Sequence, residues 1–435
     1  MDTTEQNPPR WKGAFFTIWG GQQLSLIGSS VAQFALVWWL TETTGSATVL
    51  AVGTGISLLP QVFLGPLAGA LVDRWDRRVV MAVADTAIAL ASAWLALLFW
   101  ADAVQFWHVY ILMFLRALGT IFHWPAMMAS TSLMVPPKHL SRVAGINESI
   151  RGALNIVSAP LGAILLRILP MHSILWIDVA TAAFAVAPLY FFRITQPERE
   201  VTKREAESSL VRNVLRDVRD GLRYVRAWPG LTALLAMAAF TYLVSAPAFS
   251  LVPILITKHF GRAELELGWS YSAFGVGVVL GGLLLGVWGG FRRRIVTMLM
   301  GWMGMAVATI VIGLSPPTAF WMGMVGFFLV GIMAPIGNGT AMALLQAVVA
   351  PEMQGRVLSL VISLSSIMAP LGLLVAGPVA DTFGIESWYV IAGVLPMIMI
   401  GVAFFTPTIM DLDQNGNAVA SRGAVAPASS SVDGE

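Results

Sequence analysis

Apolar runs of spanning length alternate with short polar breaks along the whole chain. Six runs fall near 15–40, 47–71, 79–100, 107–133, 144–168 and 174–192. After a polar stretch, six more fall near 231–255, 269–289, 295–314, 320–344, 357–379 and 388–406. A helix of roughly 20 apolar residues crosses a bilayer. The pattern therefore predicts an all-α integral membrane protein with twelve transmembrane helices in two six-helix halves. The domains are an N-terminal bundle over 1–192, a linker over 193–229, a C-terminal bundle over 230–410 and a tail over 411–435. The tail is rich in Ala, Ser and Gly, which predicts disorder.

The linker has its own period. Leu210, Val214, Val218, Leu222 and Val225 recur at three- or four-residue intervals, and Arg212, Arg216, Arg219, Arg223 and Arg226 fill the other face. That spacing predicts an amphipathic helix lying on the membrane surface. Ser208 or Ser209 would cap it, and Pro229 would stop it.

Within the spans, polar residues keep helical phase. On span 1, Gln22, Ser25, Ser29 and Gln33 fall within about 80° of one another. Arg116, His123 and Met127 share a face of span 4, with Trp124 beside it. Span 5 carries Asn147, Arg151, Asn155 and Ser158 on one face, with Glu148 adjacent. Span 10 holds Asn338 among Gly326, Gly331, Pro335, Gly337 and Gly339, and span 11 carries Ser359, Ser363 and Ser366. In hydrocarbon such side chains must meet protein or a water-filled space. The phasing predicts a substrate cavity lined by Gln22, Gln33, Arg116, His123, Trp124, Asn147, Asn155 and Asn338. The alternative is hydrogen bonding between packed helices.

The halves echo each other. Pro137, Arg142 and Ala159-Pro160-Leu161-Gly162 match Pro351, Arg356 and Ala369-Pro370-Leu371-Gly372. Span 11 thus repeats span 5, as two halves related by a parallel repeat require.

Composition narrows the class. Of 435 residues, 57% are hydrophobic and 11% charged, a membrane-protein balance. A net charge of +2 is too small to imply nucleic acid as a partner. The absence of Cys excludes disulfides and zinc–thiolate sites. No metal site or cofactor is expected. None of the four Lys follows a Gly, so no phosphate loop for ATP is present, and no Gly-x-Ser-x-Gly or His-Glu-x-x-His occurs. The expectation is a solute carrier, not an enzyme. Under the twelve-span layout 21 of the 26 Lys and Arg fall on the side of the termini, which predicts that both are cytoplasmic.

The turn between spans 2 and 3 concentrates charge. In GPLAGALVDRWDRR (65–78), Asp73, Arg74, Asp76, Arg77 and Arg78 lie within six residues. Gly65 and Gly69 give the preceding helix end a small-residue face. Gly69, Asp73, Arg74, Arg77 and Arg78 resemble the signature loop of the major facilitator superfamily, with Asp76 where that family usually has Gly. LTETTGSATVL (40–50), GTIFHWPAM (119–127), WID (176–178), LGWSYSAFG (267–275), GGLLLGVWGGF (281–291) and PEMQGRVLSL (351–360) resemble the macrolide-efflux branch of its drug:proton antiporters. Span 5 departs from the superfamily's antiporter motif, having Ala159-Pro160 with Gly162 two residues on.

The resemblance implies export of a bulky amphipathic compound, driven by proton entry through alternating access. It implies a monomer in the bacterial inner membrane, with a small molecule, protons and lipid as partners. The Gly69–Arg78 loop would be a gating motif, with Asp73 meeting the start of span 11 near Gly355 and Arg356. Proton coupling would fall to Glu148, His123 or Asp178. Spans 3 and 6 are peripheral in that family, which counts against Asp85 and Asp178. Two other functions remain compatible with the residues: transport of an endogenous metabolite such as a siderophore or lipid-like compound, and a non-transporting scaffold or receptor.

Overall fold

A computed structural model describes residues 10–72, 74–192 and 210–413. The first half contains α1 (Arg10–Thr44), α2 (Ala47–Val72), α3 (Arg77–Trp100), α4 (Phe106–Met134), α5 (Pro137–Ile168) and α6 (Met171–Phe191). The linker helix is α7 (Leu210–Arg226). The second half contains α8 (Pro229–Ser250), α9 (Glu264–Trp288), α10 (Arg294–Leu314), α11 (Phe320–Val348), α12 (Pro351–Phe383) and α13 (Ile385–Phe404). Among the described residues, eleven helices are long and apolar enough to cross a membrane, and α5, bent by 41°, makes twelve.

The surface is inverted relative to a water-soluble protein. Leu90, Phe184, Leu283, Val287, Trp321 and Phe405 stand more than half exposed, as lipid-facing side chains should. Lipid is as apolar as leucine, so close approach of backbones, not expulsion of apolar surface, holds such helices together. Glycine supplies that approach. A Cβ on Gly162 of α5 would stand 2.7 Å from Phe34 of α1. The repeat partner, Gly372 of α12, meets Pro247 of α8 at 2.8 Å. The sequence echo between spans 5 and 11 is therefore an echo in packing: each presses on the first helix of its own half.

The halves meet through α2 against α12 and α5 against α9. The pseudo-two-fold relation exchanges these two seams. Gly377 of α12 would carry a Cβ 2.8 Å from Thr48 Cα, and Gly268 of α9 one 3.1 Å from Pro160 Cα. Both contacts lie near the ends of the spans remote from the chain's N-terminus, here called the distal face.

On the proximal face, α7 packs on α12, α8 and α2. Asp220 pairs with Arg356 at 3.5 Å, and a Cβ on Gly221 would stand 3.1 Å from the Arg356 carbonyl oxygen. Arg216 and Arg219 stand outward. The linker is helical over Leu210–Arg226; Ser208 and Ser209 lie outside the described residues, as do 414–435.

Two local expectations are corrected, and two packing details accompany them. Residues 411–413, placed in a disordered tail, are packed: Leu412 is 1% exposed and Asp413 accepts a hydrogen bond from the Arg294 backbone N–H at 2.7 Å, at the start of α10. Trp38 and Trp388, near the distal ends of their helices, are buried in the core shared by the two halves. Gly65 and Gly69 form no close helix contact among the described residues; the nearest atoms to a Cβ on Gly65 belong to Gln61 of its own helix. Span 10 is one helix interrupted by a π turn over Pro335–Gly339, where a Cβ on Gly337 would stand 2.5 Å from Trp302. Proline removes one backbone donor there, and glycine admits the indole.

Candidate functional site

Two polar layers cross the N-terminal half, two helical turns apart. The spacing is visible in three helices: Gln22 and Ser29 on α1, Asp85 and Ser92 on α3, Arg116 and His123 on α4. Each pair is seven residues apart, so each lies on one face, about 10 Å along the axis. Because α4 runs antiparallel to α1 and α3, His123 falls level with Gln22 and Asp85, and Arg116 with Ser29 and Ser92.

The central layer is a complete ion-pair cage. The Arg116 guanidinium donates to Asp178 Oδ2 at 2.6 Å and to the Ser29 carbonyl oxygen at 2.7 Å. Ser29 and Ser92 hydroxyls donate to the two Asp178 oxygens at 2.9 and 2.8 Å. Asp178 is 1% exposed and Arg116 8%. An arginine in hydrocarbon cannot shed its charge, so it needs this carboxylate.

The proximal layer is built differently. Gln22 donates its amide N–H to Asp85 Oδ2 at 2.9 Å. His123 Nε2 lies 2.9 Å from Gln22 Oε1 and 3.4 Å from Asp85 Oδ1. An amide oxygen only accepts, so Nε2 carries the hydrogen in this arrangement. Gln22 is 4% exposed and Asp85 7%.

These placements alter the sequence reading. Gln22 and Arg116, expected to line a cavity, are buried inside the N-terminal half with partners on α3, α4 and α6. Asp85 and Asp178 face the middle of their half, because α3 and α6 pack on α4 and α1 there. Gln33 is half-buried, and Trp124 is 39% exposed. Asn147 accepts from Trp19 Nε1 at 2.6 Å. Asn338, in the C-terminal half, accepts from Trp302 Nε1 at 2.9 Å. The side chains of Glu148, Arg151 and Asn155 lie outside the description. The i, i+7 recurrence of polar residues on three spans was the signal that could have joined Asp85 to Gln22 and His123.

At the loop between α2 and α3, Asp73 lies outside the described residues. Asp76 caps α3, accepting from the Arg78 and Val79 N–H groups at 2.9 and 3.4 Å. That role explains a carboxylate in place of glycine. Arg78 reaches the Tyr190 carbonyl oxygen at 3.3 Å, at the C-terminal end of α6, where a cation is favoured. Arg74 stands exposed, and Arg77 is half-buried.

A second charged site lies on the distal face, between the halves. Asp381 of α12 accepts from the Ala47 and Thr48 N–H groups at 2.7 and 2.9 Å and from the Ser46 hydroxyl at 2.8 Å. It caps α2 from the opposite half. Lys258 Nζ approaches Gly45, at the C-terminal end of α1; a Cβ there would be 2.6 Å from it. A cavity of about 460 Å³ opens at this point, with Lys258, His259, Asp381 and Glu386 in its wall. Among the described residues no group of three or more metal-ligating side chains occurs.

The Major Facilitator Superfamily profile matches residues 18–255 and 234–429. Macrolide efflux protein A of Streptococcus pyogenes is 34% identical over 402 residues, 92% of this chain and 97% of that protein. The protein of the same name from Enterococcus faecalis is 33% identical, over 76% of this chain and all of its own length. Multidrug efflux pump Tap of Mycolicibacterium fortuitum is 30% identical over 89% of this chain and 94% of its own. Among solved structures, a bacterial homologue of the human lysosomal transporter Spinster superposes with a TM-score of 0.67 at 15% identity, covering 97% of this chain and all of that one. A D-xylose–proton symporter does so with 0.63 at 13% identity, over 90% and 97%. The chain belongs to the major facilitator superfamily: it is a multi-pass membrane transporter, not an enzyme, and resembles the macrolide-efflux proteins from end to end.

Proposed function

We propose that this protein exports a bulky amphipathic compound of the macrolide type across the bacterial inner membrane, by proton antiport and alternating access. The observation that carries the reading is the 34% identity to Macrolide efflux protein A across 92% of the chain. The positive-charge bias assigns the proximal face and both termini to the cytoplasm. With the distal seams closed, the arrangement is then the one that receives cargo from the cytoplasm or inner leaflet. Gln33, Trp124, Asn147, Asn155 and Asn338 are the cavity candidates that remain outside the two buried layers. Glu148, His123 and Asp178 are the proton carriers suggested by sequence. A monomer suffices, since each half supplies its own part of the path.

The loop Gly69, Asp73, Arg74, Arg77 and Arg78 acts in this reading as the gate of the opposite state. Asp73 meets the N-terminus of α12 when the cytoplasmic side closes, an interaction of ~0.3–1 kcal/mol that biases two states without locking one. Asp73→Asn should therefore leave insertion intact and cut transport strongly. Normal efflux by a well-expressed variant would remove the loop from the mechanism.

The function itself is tested by expression in a drug-sensitive bacterial host. Tolerance should rise for erythromycin and related macrolides, not for small hydrophilic antibiotics, and should collapse when the proton gradient is discharged. An unchanged susceptibility panel with protein present in the membrane would refute macrolide export.

A further inference from the structure

We propose that Asp85, His123 and Gln22 form the binding site for the transported proton. This rests on the antiport reading for its use, but its geometry stands apart from it. Among the described residues, Asp85 and Asp178 are the buried carboxylates of the N-terminal half; they have different partners, and the partners decide which layer can cycle. Asp178 faces Arg116, whose charge is permanent, and both its oxygens are occupied by hydroxyls as well. Neutralising it would strand a buried guanidinium, so that layer keeps its charge through the cycle. Asp85 faces an imidazole, the side chain whose ordinary range spans physiological pH.

The site holds one proton more or one fewer without breaking its frame. Loaded, an imidazolium faces a carboxylate, and the pair is neutral overall. Unloaded, a neutral imidazole leaves one negative charge on Asp85, held by the Gln22 amide at 2.9 Å. The proton comes from water on one face and leaves to water on the other; no other bond forms or breaks. His123 keeps 16% of its side chain accessible against 9% for Asp85, so the imidazole is the entry point.

The unloaded site buries net charge, and the loaded site does not. A state that admits water to the layer is therefore favoured by the unloaded form, and a sealed state by the loaded one. The charged and titratable groups around the site are few. α4 adds Arg116, and α6 adds Asp178, already paired with it. α1 contributes neutral side chains at this level, and α2 has no ionisable residue along its length. α5 packs on α1 beside the Gln22 face, where Trp19, one turn before Gln22, donates to Asn147, and its Glu148 and Arg151 have side chains outside the described residues.

The test reads conformation, not transport. The chain has no cysteine, so one introduced at Ala51, 3% exposed in the distal seam, reports opening there. Its rate of reaction with a water-soluble maleimide, on full-length protein in detergent, is divided by that of a cysteine at the exposed Ala103. Between about pH 5 and 8 the ratio should change roughly tenfold. Asp85→Asn keeps an acceptor for Gln22, and His123→Gln keeps a polar side chain; each should flatten the step to within about twofold. Gln22→Ala should keep the step and move its midpoint. Glu148→Gln should leave it unchanged. A flat profile in the unaltered protein overturns the proposal, and so does a step that survives Asp85→Asn and His123→Gln or vanishes only in Glu148→Gln. Vesicles judge the antiport reading separately. If erythromycin efflux ignores a pH gradient while the step persists, antiport fails and the proton site stands.

Discussion

Asp178→Asn should remove most of the folded protein from the membrane. The asparagine still offers polar atoms to Ser29 and Ser92, but Arg116 is left as a buried cation without its counter-charge. Breaking one side of a buried ion pair costs about 3–5 kcal/mol, mostly the penalty on the stranded partner. A marginally stable protein does not absorb that loss. Heating in detergent followed by size exclusion should show a large fall in melting temperature and in yield. Removing both charges tests the reason: Arg116→Met with Asp178→Leu should recover much of the loss, since no buried charge is left stranded and only the Ser29 and Ser92 hydroxyls lose an acceptor. A melting temperature unchanged in Asp178→Asn would mean the pair contributes little to holding α1, α3, α4 and α6 together.

The second large effect concerns the distal seam. Asp381→Ala should shift the protein toward the state open on that face. Asp381 accepts three hydrogen bonds across the half–half boundary, two from backbone N–H groups at the start of α2. Loss of a helix cap costs about 0.5–2 kcal/mol in partly exposed sites. In the upper part of that range, about 1–2 kcal/mol corresponds to about a five- to thirtyfold change in a two-state ratio. Lys258→Ala removes the complementary cation beside the end of α1 and should act in the same direction, more weakly. The cysteine at Ala51 reads the shift directly, as faster labelling at fixed pH. Gly377→Val gives an independent wedge, because its side chain would meet Thr48 Cα. If Asp381→Ala leaves labelling unchanged, the cap does not hold the distal seam closed.

The interior of the N-terminal half was only partly legible. Helical phase brought Arg116 and His123 to one face of α4, and Gln22 and Ser29 to one face of α1, and both pairs do share a face. Phase gives a direction about one axis, though, not the identity of the neighbour on that side. The phasing predicts a cavity at those faces. They point instead at Asp85, Ser92 and Asp178, because α3 and α6 pack against α1 and α4 there. The cross-boundary cap by Asp381 could not be read at all: residues 46–48 and 381 are distant in the chain and share no pattern. By contrast, Asp76 lay in plain sight as a capping type just before a helix.

Class and plan follow from the apolar runs alone. Hydrocarbon admits backbone only as helix, so the lengths of apolar runs set the spans and the breaks set the turns. The repeated Pro–Arg–Ala-Pro-Leu-Gly pattern set the two-fold relation of the halves, and the Leu–Val period of 210–225 set the surface helix. Which charged residue meets which depends on how the helices pack. A buried charge is defined by its partner: Asp178 faces a permanent guanidinium, whereas Asp85 faces an imidazole, the group that takes up the proton in the proposed cycle. Both look alike in the sequence, as single aspartates in apolar helices. The difference arises from the antiparallel docking of α4 on α3, which brings residues some tens of positions apart within 3.4 Å.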